Sequence, residues 1–343
     1  MLKPYQRVAL YMEGYIHSEY VKMGLGVIRY LQNPIVGIID SNHAGRNINQ
    51  EYTIDRDIPI YKKLDNVIDQ GAEVLILGIA PSGGKIPDTW HSVIKEALNS
   101  GLSIINGLHD SLGPTFSNLI QNPTQWIWDV RVPQFTPKIA SGRAAKLTNK
   151  RLLMIGTDMA CGKMTAGLEI YRWAQNNQID TAFVATGQIG ITLMGSGIPL
   201  DALKVDHACG AVEQMVVNHS ERSLVVVEGQ GSLLHPGSAA TLPLMRGTCP
   251  THMILCHRAD KTTLRNPESI KIPDLRDFIA LNETLASVAG TYGDPKVVGI
   301  ALNTVKLPDK EAKKYIINLE SEFKIPVTDV LRFGVEKIVK DFL

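Results

Sequence analysis

Residues 156–165 read Gly-Thr-Asp-Met-Ala-Cys-Gly-Lys-Met-Thr, a loop with a glycine at its start and a Gly-Lys pair near its end. The apolar residues 151–155 before this loop predict a strand, and residues 166–174 after it predict a helix. In such a loop, main-chain N–H groups converge on phosphate oxygens, and the helix N-terminus adds partial positive charge. The ammonium group of Lys163 neutralises a further oxygen. The order of strand, loop, lysine and helix therefore predicts a phosphate-binding loop.

The spacing of this loop departs from the common G-x-x-x-x-G-K-[ST] motif. Gly156 lies six residues before Gly162, and Met164 occupies the position of the usual hydroxyl residue. That hydroxyl normally binds magnesium, which a thioether does not, and whether Thr165 replaces it is left open. We therefore expect the loop to hold a diphosphate rather than to support γ-phosphoryl transfer. The residues predicted to bind the phosphate-bearing ligand are Gly156, Thr157, Asp158, Gly162, Lys163, Met164 and Thr165.

Short apolar runs alternate with amphipathic segments along the whole chain, which predicts an α/β protein with mostly parallel sheets. At 343 residues two domains are expected, and a polar, proline-containing stretch at 132–149 indicates a boundary near residue 146. We predict a Rossmann-like, doubly wound domain over 1–145 and a P-loop NTPase-like domain over 146–343. Predicted strands are 7–12, 35–39, 73–78 and 103–106, then 151–155, 181–185, 224–227, 252–256 and 297–302, and predicted helices include 19–31 and 89–100.

Net charge, hydropathy and cysteine spacing disfavour several kinds of protein. Lys and Arg number 35 against 34 Asp and Glu, a net charge of +1 that lacks the basic excess of a nucleic-acid-binding surface. No apolar run approaches the roughly 20 residues of a membrane span, and the N-terminus does not resemble a signal peptide. The four cysteines lie far apart without a C-x-x-C pair, which favours reduced thiols. We therefore expect a cytoplasmic homo-oligomer that acts on small molecules, has no metal site and binds neither nucleic acid nor membrane.

An acidic residue follows the most apolar predicted strand. Residues 224–227 are Leu-Val-Val-Val, and Glu228 comes next, at the end of a buried parallel strand where catalytic loops emerge. Glu228 should face the phosphate loop and bind a metal, order water or accept a proton from an amine; a purely structural role also stays open. His235 is the best-placed histidine for general base catalysis. The predicted catalytic residues are thus Glu228, His235 and Lys163.

Two further regions are predicted to contact a substrate. Residues 185–190 follow another strand, and residues 194–199 extend them into a long loop of the kind that covers substrates. Gln188 in this region and Gln230 beside Glu228 are the predicted contacts. In the first domain, residues 40–46, 80–85 and 106–110 all follow strands and should meet in a crevice at one sheet edge. Its predicted binding residues are Arg46, Ser82, Gly83 and Gly84, flanked by His43 and His109.

The first domain lacks the fingerprint of dinucleotide binding. After the first strand the sequence reads Met12-Glu13-Gly14-Tyr15 instead of G-x-G-x-x-G. Dehydrogenase activity is therefore disfavoured.

Several motifs carry a resemblance to known families. Residues 156–158 with Gly162 and Lys163, and the Glu228-Gly229 pair after a strand, are similar to the dethiobiotin synthetase group of P-loop proteins. Residues 299–303 resemble that group's base-recognition strand, which implies that Asn303 contacts a nucleotide base. Over essentially the whole chain, the sequence more closely resembles a two-domain family whose characterised members are D-glutamate N-acetyltransferases. The segments that carry this resemblance are 39–46, 78–84, 107–110, 163–165 and 228–236.

The resemblance implies transfer of an acetyl group from acetyl-CoA to the amine of D-glutamate. Because CoA carries an ADP moiety, its diphosphate is a ligand that a loop with weak magnesium binding would hold without cleaving. Two alternatives remain open: an ATP- and magnesium-dependent ligase of the dethiobiotin synthetase type, and a protein without catalytic activity that senses a nucleotide or metabolite.

Overall fold

The protein is described from a computed structural model, which covers residues 2–81, 84–288 and 290–343. The chain forms two compact units: Met1–Pro133 with Ile191–Ala202, and Gln134–Gly190 with Leu203–Leu343. Each unit contains one parallel sheet with connecting helices, which confirms the predicted fold class. The predicted domain boundary near residue 146 stays a prediction. Within the described ranges, no helix has the length and apolar character needed to cross a bilayer.

The first unit contains a sheet with strand order β3-β2-β1-β4-β5-β6. Every pairing in it is parallel, and β1 lies between β2 and β4. β1 and β4 are fully buried apolar strands, as expected for a parallel sheet covered on both faces. The elements are β1 (Val8–Tyr11), α1 (Lys22–Tyr30), β2 (Ile35–Ile39), α2 (Ile48–Glu51), β3 (Ile60–Tyr61), α3 (Leu64–Asp69), β4 (Val74–Leu77), α4 (Trp90–Asn99), β5 (Ser103–Asn106), α5 (Gly113–Phe116) and β6 (Ile127–Asp129).

The second unit contains a sheet with strand order β12-β11-β10-β7-β9-β8, again with parallel pairing throughout. The central strand β7 carries the predicted phosphate loop at its carboxyl end. The elements are β7 (Lys150–Gly156), α6 (Lys163–Asn176), β8 (Thr181–Val184), α7 (Gln188–Met194), α8 (Val205–Val217), β9 (Leu224–Val227), α9 (Thr241–Thr248), β10 (His252–Arg258), α10 (Leu275–Ser287), β11 (Lys296–Asn303), α11 (Asp309–Phe323), β12 (Val327–Thr328) and α12 (Glu336–Val339). α7 begins in this unit and ends in the first.

Two local expectations need correction. The segment predicted as a long loop over 185–199 contains the helix α7, whose residue Ile191 is buried. The helix after the phosphate loop begins at Lys163 rather than at residue 166, because Gly162 (φ +114°) turns the chain directly into α6.

Candidate functional site

The loop between β7 and α6 has a backbone that requires glycine at its end. Gly162 has φ +114°, a conformation that side chains with a Cβ rarely adopt, and Ala160 is also left-handed at φ 53°. The first N–H groups of α6 have no partner within the helix, since no preceding turn supplies carbonyl oxygens. The first N–H groups of α6 and the positive end of its dipole therefore lie at the end of this loop.

The side chain of Lys163 lies inside this loop. It is 6% exposed, and its Nζ donates to the carbonyl oxygen of Asp158 at 2.7 Å and lies 3.6 Å from Cys161 Sγ. A Cβ added to Gly156 would stand 3.1 Å from Nζ, and one added to Gly229 would stand 2.9 Å from the Lys163 Cδ. The two glycines thus leave the space through which the lysine reaches into the loop, and the ammonium group points into the loop rather than into solvent.

Thr157 and Asp158 hold the loop in shape. The Thr157 N–H donates to the carbonyl oxygen of Cys256 at 3.1 Å. Asp158 is buried; its Oδ1 accepts from the N–H of Met159 at 2.6 Å, and its Oδ2 accepts from the N–H of Arg265 at 2.7 Å. Both carboxylate oxygens are therefore engaged with backbone of the protein itself.

His257 is a residue that the sequence analysis missed. It lies in β10 beyond the predicted end of that strand, and its Nδ1 is hydrogen-bonded to the Thr157 hydroxyl at 2.9 Å. Burial lowers the pKa of its imidazole to about 4, so the ring is neutral at pH 7. The sequence signal is that His257 directly follows the apolar run 253–256, in the strand that neighbours the strand before the phosphate loop.

Glu228 directly follows β9 and is 4% exposed. Its Oε2 accepts hydrogen bonds from the N–H groups of Thr186 at 2.8 Å and Gly187 at 3.1 Å. A Cβ at Gly190 would overlap this oxygen, so the approach of α7 depends on that glycine. Burial raises the pKa of the Glu228 carboxyl to about 7, although the two N–H donors and the charge of Lys163 oppose the shift. The carboxyl group thus gains and loses a proton near neutral pH.

The two predicted glutamine contacts lie around Glu228. The Gln230 Nε2 donates to the carbonyl oxygen of Thr186, and a Cβ at Gly187 would approach that Nε2 to 2.7 Å. Gln188 is the first residue of α7, directly after the N–H groups that bind Glu228. The structure therefore brings the segments 186–188 and 228–230 together.

The ring of His235 is engaged at both nitrogens. Nδ1 accepts from the N–H of Gly237 at 3.1 Å, so the proton resides on Nε2, which donates to the carbonyl oxygen of Asn266 at 2.6 Å. Because both ring nitrogens are hydrogen-bonded to backbone, neither is free to accept a proton from a substrate.

Asn303 ends β11, at the same carboxyl edge as Gly156 and Glu228. Its Oδ1 accepts from the N–H of Val305 at 3.2 Å, and its carbonyl oxygen accepts from the N–H of Ala259 at 3.2 Å. Its contact with a base stays a prediction.

In the first unit, the structure brings together only part of the predicted crevice. Gly84 (φ +63°) accepts a hydrogen bond from the His109 N–H at 2.8 Å, and burial lowers the pKa of the His109 ring. Arg46 is 61% exposed on its side chain and pairs with Glu51 at 3.1 Å. Ser82 and Gly83 lie outside the described residues.

The fold and the loop together define a two-domain α/β protein with a Rossmann-like first unit and a P-loop second unit. Residues 138–339 match the model of the DUF1611 P-loop domain, and residues 41–133 match that of the DUF1611 Rossmann-like N-terminal domain, both described as domains of unknown function. The chain belongs to the DUF1611 family.

Two proteins and one crystal structure are similar to most of this chain. A D-glutamate N-acetyltransferase from Pseudoalteromonas sp. is 36% identical over 273 residues, which cover 78% of this chain and 81% of that protein. A second protein of that name, from Tritonibacter scottomollicae, is 33% identical over 322 residues, which cover 93% and 92%. The crystal structure of a DUF1611 family protein from Anabaena variabilis superposes with a TM-score of 0.93 at 44% identity and covers 98% of each chain.

Proposed function

We propose that this protein is an N-acetyltransferase that moves an acetyl group from acetyl-CoA to the amine of an acidic amino acid, D-glutamate being the leading acceptor. The observation that carries the proposal is the pairing of a buried lysine turned into a glycine loop with a buried carboxyl group of pKa about 7 directly after the neighbouring strand. The relatives named D-glutamate N-acetyltransferase support the choice of reaction. We also propose that the protein acts in the cytoplasm and forms a homo-oligomer.

The loop would bind the diphosphate of CoA. Its N–H groups and the Lys163 ammonium supply the donors and the positive charge that such a group requires. Met164, the second residue of α6, offers no hydroxyl to a magnesium ion. Binding without phosphoryl transfer is the chemistry that this set of residues favours.

Glu228 would act as the base. The acceptor amine attacks the thioester carbonyl carbon, the new C–N bond forms as the C–S bond breaks, and the CoA thiolate leaves and takes up the second proton of the amine nitrogen, which gives the amide and free CoA thiol. Before attack, the ammonium group of the acceptor must lose a proton, and a carboxylate with a pKa near 7 accepts it at neutral pH. The engaged ring of His235 favours Glu228 over His235 for this step. Gln188 and Gln230 would contact the acceptor beside it.

The test separates binding from turnover. Isothermal titration of acetyl-CoA and of ATP, each with and without magnesium, should show acetyl-CoA binding that does not require the metal. Lys163→Met should weaken acetyl-CoA binding at least tenfold, because it removes a charge-assisted contact to phosphate. Lys310→Met, on the exposed surface of α11, is the matched control.

A second pair of variants tests the base. Glu228→Gln should bind acetyl-CoA normally and lose on the order of 100-fold or more in turnover with D-glutamate, the usual contribution of general base catalysis. Glu221→Gln, an exposed carboxyl in the same unit, should leave turnover unchanged. If the protein binds ATP in the presence of magnesium but does not bind acetyl-CoA, the result would instead support the ligase of the dethiobiotin synthetase type. Unchanged turnover of Glu228→Gln would show that Glu228 is not the base.

A further inference from the structure

A second cluster of potential ligands lies in the first unit, in the segments that follow β1 and β2. His17, His43 and Glu51 each offer one ligand atom, and these atoms lie within 4.8 Å of one another. The His17 Nε2 is 2.8 Å from the Glu51 Oε2, and the ring centroids of His17 and His43 are 4.9 Å apart. Two imidazoles and a carboxylate therefore converge, although they come from two separate segments of the chain.

A buried carboxylate fixes the orientation of His43. Asp40 is fully buried, and its Oδ1 accepts from the His43 Nδ1–H at 2.8 Å and from the N–H groups of Asn42 and His43. Its Oδ2 accepts from the N–H of Gly14 at 2.9 Å. With Nδ1 occupied as a donor, the Nε2 of His43 carries the lone pair. A carboxylate that orients a histidine in this way is the usual outer partner of a metal ligand.

Glu51 is also held in place. It ends the short helix α2, which begins at the Asn47 cap, where Asn47 and Gln50 form a reciprocal capping box. The side chain of Glu51 is largely buried, and its Oε1 accepts from Arg46 at 3.1 Å, so one oxygen is neutralised while the other faces His17.

The spacing suits a small divalent ion. Zinc bonds of about 2.1 Å to nitrogen and oxygen at tetrahedral angles put ligand atoms about 3.4 Å apart. The ligand atoms of His17 and Glu51 lie 2.8 Å apart, and all three ligand atoms lie within 4.8 Å of one another, so small side-chain movements suffice to reach this spacing. The side chain of His17 is 53% exposed, so an ion can enter from solvent.

We propose that His17, His43 and Glu51 form a binding site for Zn²⁺, with Asp40 as the positioning residue for His43 and a coordination position open to water or to an anionic ligand near Arg46. Two histidines with one glutamate are a ligand set that catalytic zinc sites use. This site is independent of the acetyl transfer proposed above. It also departs from the sequence expectation that no metal binds.

The test uses the full-length protein without an affinity tag, stripped with a chelator and dialysed. Competition against a chromophoric zinc chelator should give one equivalent of bound Zn²⁺. His17→Ala removes an exposed ligand with little packing, and Glu51→Gln removes the carboxylate charge. Each should weaken zinc binding by more than the roughly 10- to 100-fold that loss of an outer-shell partner costs. His91→Ala, on α4 of the same unit, is the control and should bind as the parent does.

Cobalt substitution supplies a second readout. Co²⁺ in the proposed site should give a visible absorption band that Zn²⁺ abolishes and that His43→Ala lacks, while His91→Ala retains it. Circular dichroism of each metal-free variant identifies any that fails to fold. Failure of the parent protein to bind Zn²⁺ stoichiometrically, or undiminished binding by folded His17→Ala and Glu51→Gln, would overturn the site and leave the proposed acetyl transfer untouched.

Discussion

Replacing Glu228 by Gln should change how the stability of the protein depends on pH. The folded protein raises the pKa of this carboxyl from 4.5 to about 7, whereas the unfolded chain keeps the ordinary value. Ionisation therefore costs the folded state about 3 kcal/mol, from 2.5 pKa units at 1.36 kcal/mol each. The penalty is absent below pH 4.5, grows as pH rises and is complete once pH passes about 7. A Gln at this position accepts the same backbone hydrogen bonds through its carbonyl oxygen and does not ionise.

The assay is urea unfolding of the parent and of Glu228→Gln at pH 5 and pH 8. We expect the free energy of unfolding of Glu228→Gln, relative to the parent, to be higher at pH 8 than at pH 5 by roughly 2 to 3 kcal/mol. Glu221→Gln, at an exposed position, should show no such difference. A difference between parent and Glu228→Gln that stays constant over this range would refute the conclusion that burial controls this carboxyl.

Two further perturbations test the loop. Gly229→Ala places a Cβ in overlap with the Met154 carbonyl oxygen and against Lys163. It should therefore destabilise the second unit by about 2 kcal/mol or more, measured by urea unfolding, and abolish acetyl-CoA binding, measured by titration. Gly293→Ala, which has open space around it, should do neither. The folded-state pKa of His257 lies below its unfolded value of 6.5, so its contribution to stability is present above pH 6.5 and is lost as pH falls toward 4. Stability of His257→Gln should therefore fall less than that of the parent between pH 6.5 and 4, and equal losses in both proteins would contradict the neutral, buried ring.

The sequence predicted the parts of the fold that have a strong local signal. Buried strands such as Leu224–Val227 are continuous apolar runs, and their bounds agree with the structure. The strands Ile60–Tyr61, Ile127–Asp129 and Val327–Thr328 escaped prediction, because two or three residues at or near a sheet edge are too few to show a periodicity. The sequence predicts a loop where α7 lies, because the glycine and polar residues of this segment do not suggest a helix.

The site was predicted only in outline. Residue types and spacing located the phosphate loop and Glu228, but the partners of Glu228 lie about 40 residues earlier in the chain, at Thr186 and Gly187. Its pKa depends on burial, which a sequence does not display. The hydrogen bond of the His235 Nε2 is to the backbone carbonyl of Asn266, which lies 31 residues later in the chain. The possible metal ligand His43 likewise meets His17 and Glu51 only in the folded protein. Contacts between distant segments follow from tertiary folding and leave no local pattern.

The hydrogen bonds of Asp40 distinguish the first unit from Rossmann domains that bind dinucleotides. In Rossmann-type dinucleotide domains, an acidic residue beyond the glycine fingerprint binds the ribose hydroxyls of the cofactor. Here the carboxylate of Asp40, directly after β2, is fully buried, with one oxygen taken by Gly14 and the other by His43 and its neighbour. A sugar hydroxyl would have to displace these donors to reach it. The domain thus has the strand order of a dinucleotide-binding protein, but the carboxylate at the position that would bind the sugar hydroxyls is hydrogen-bonded to other groups of the protein.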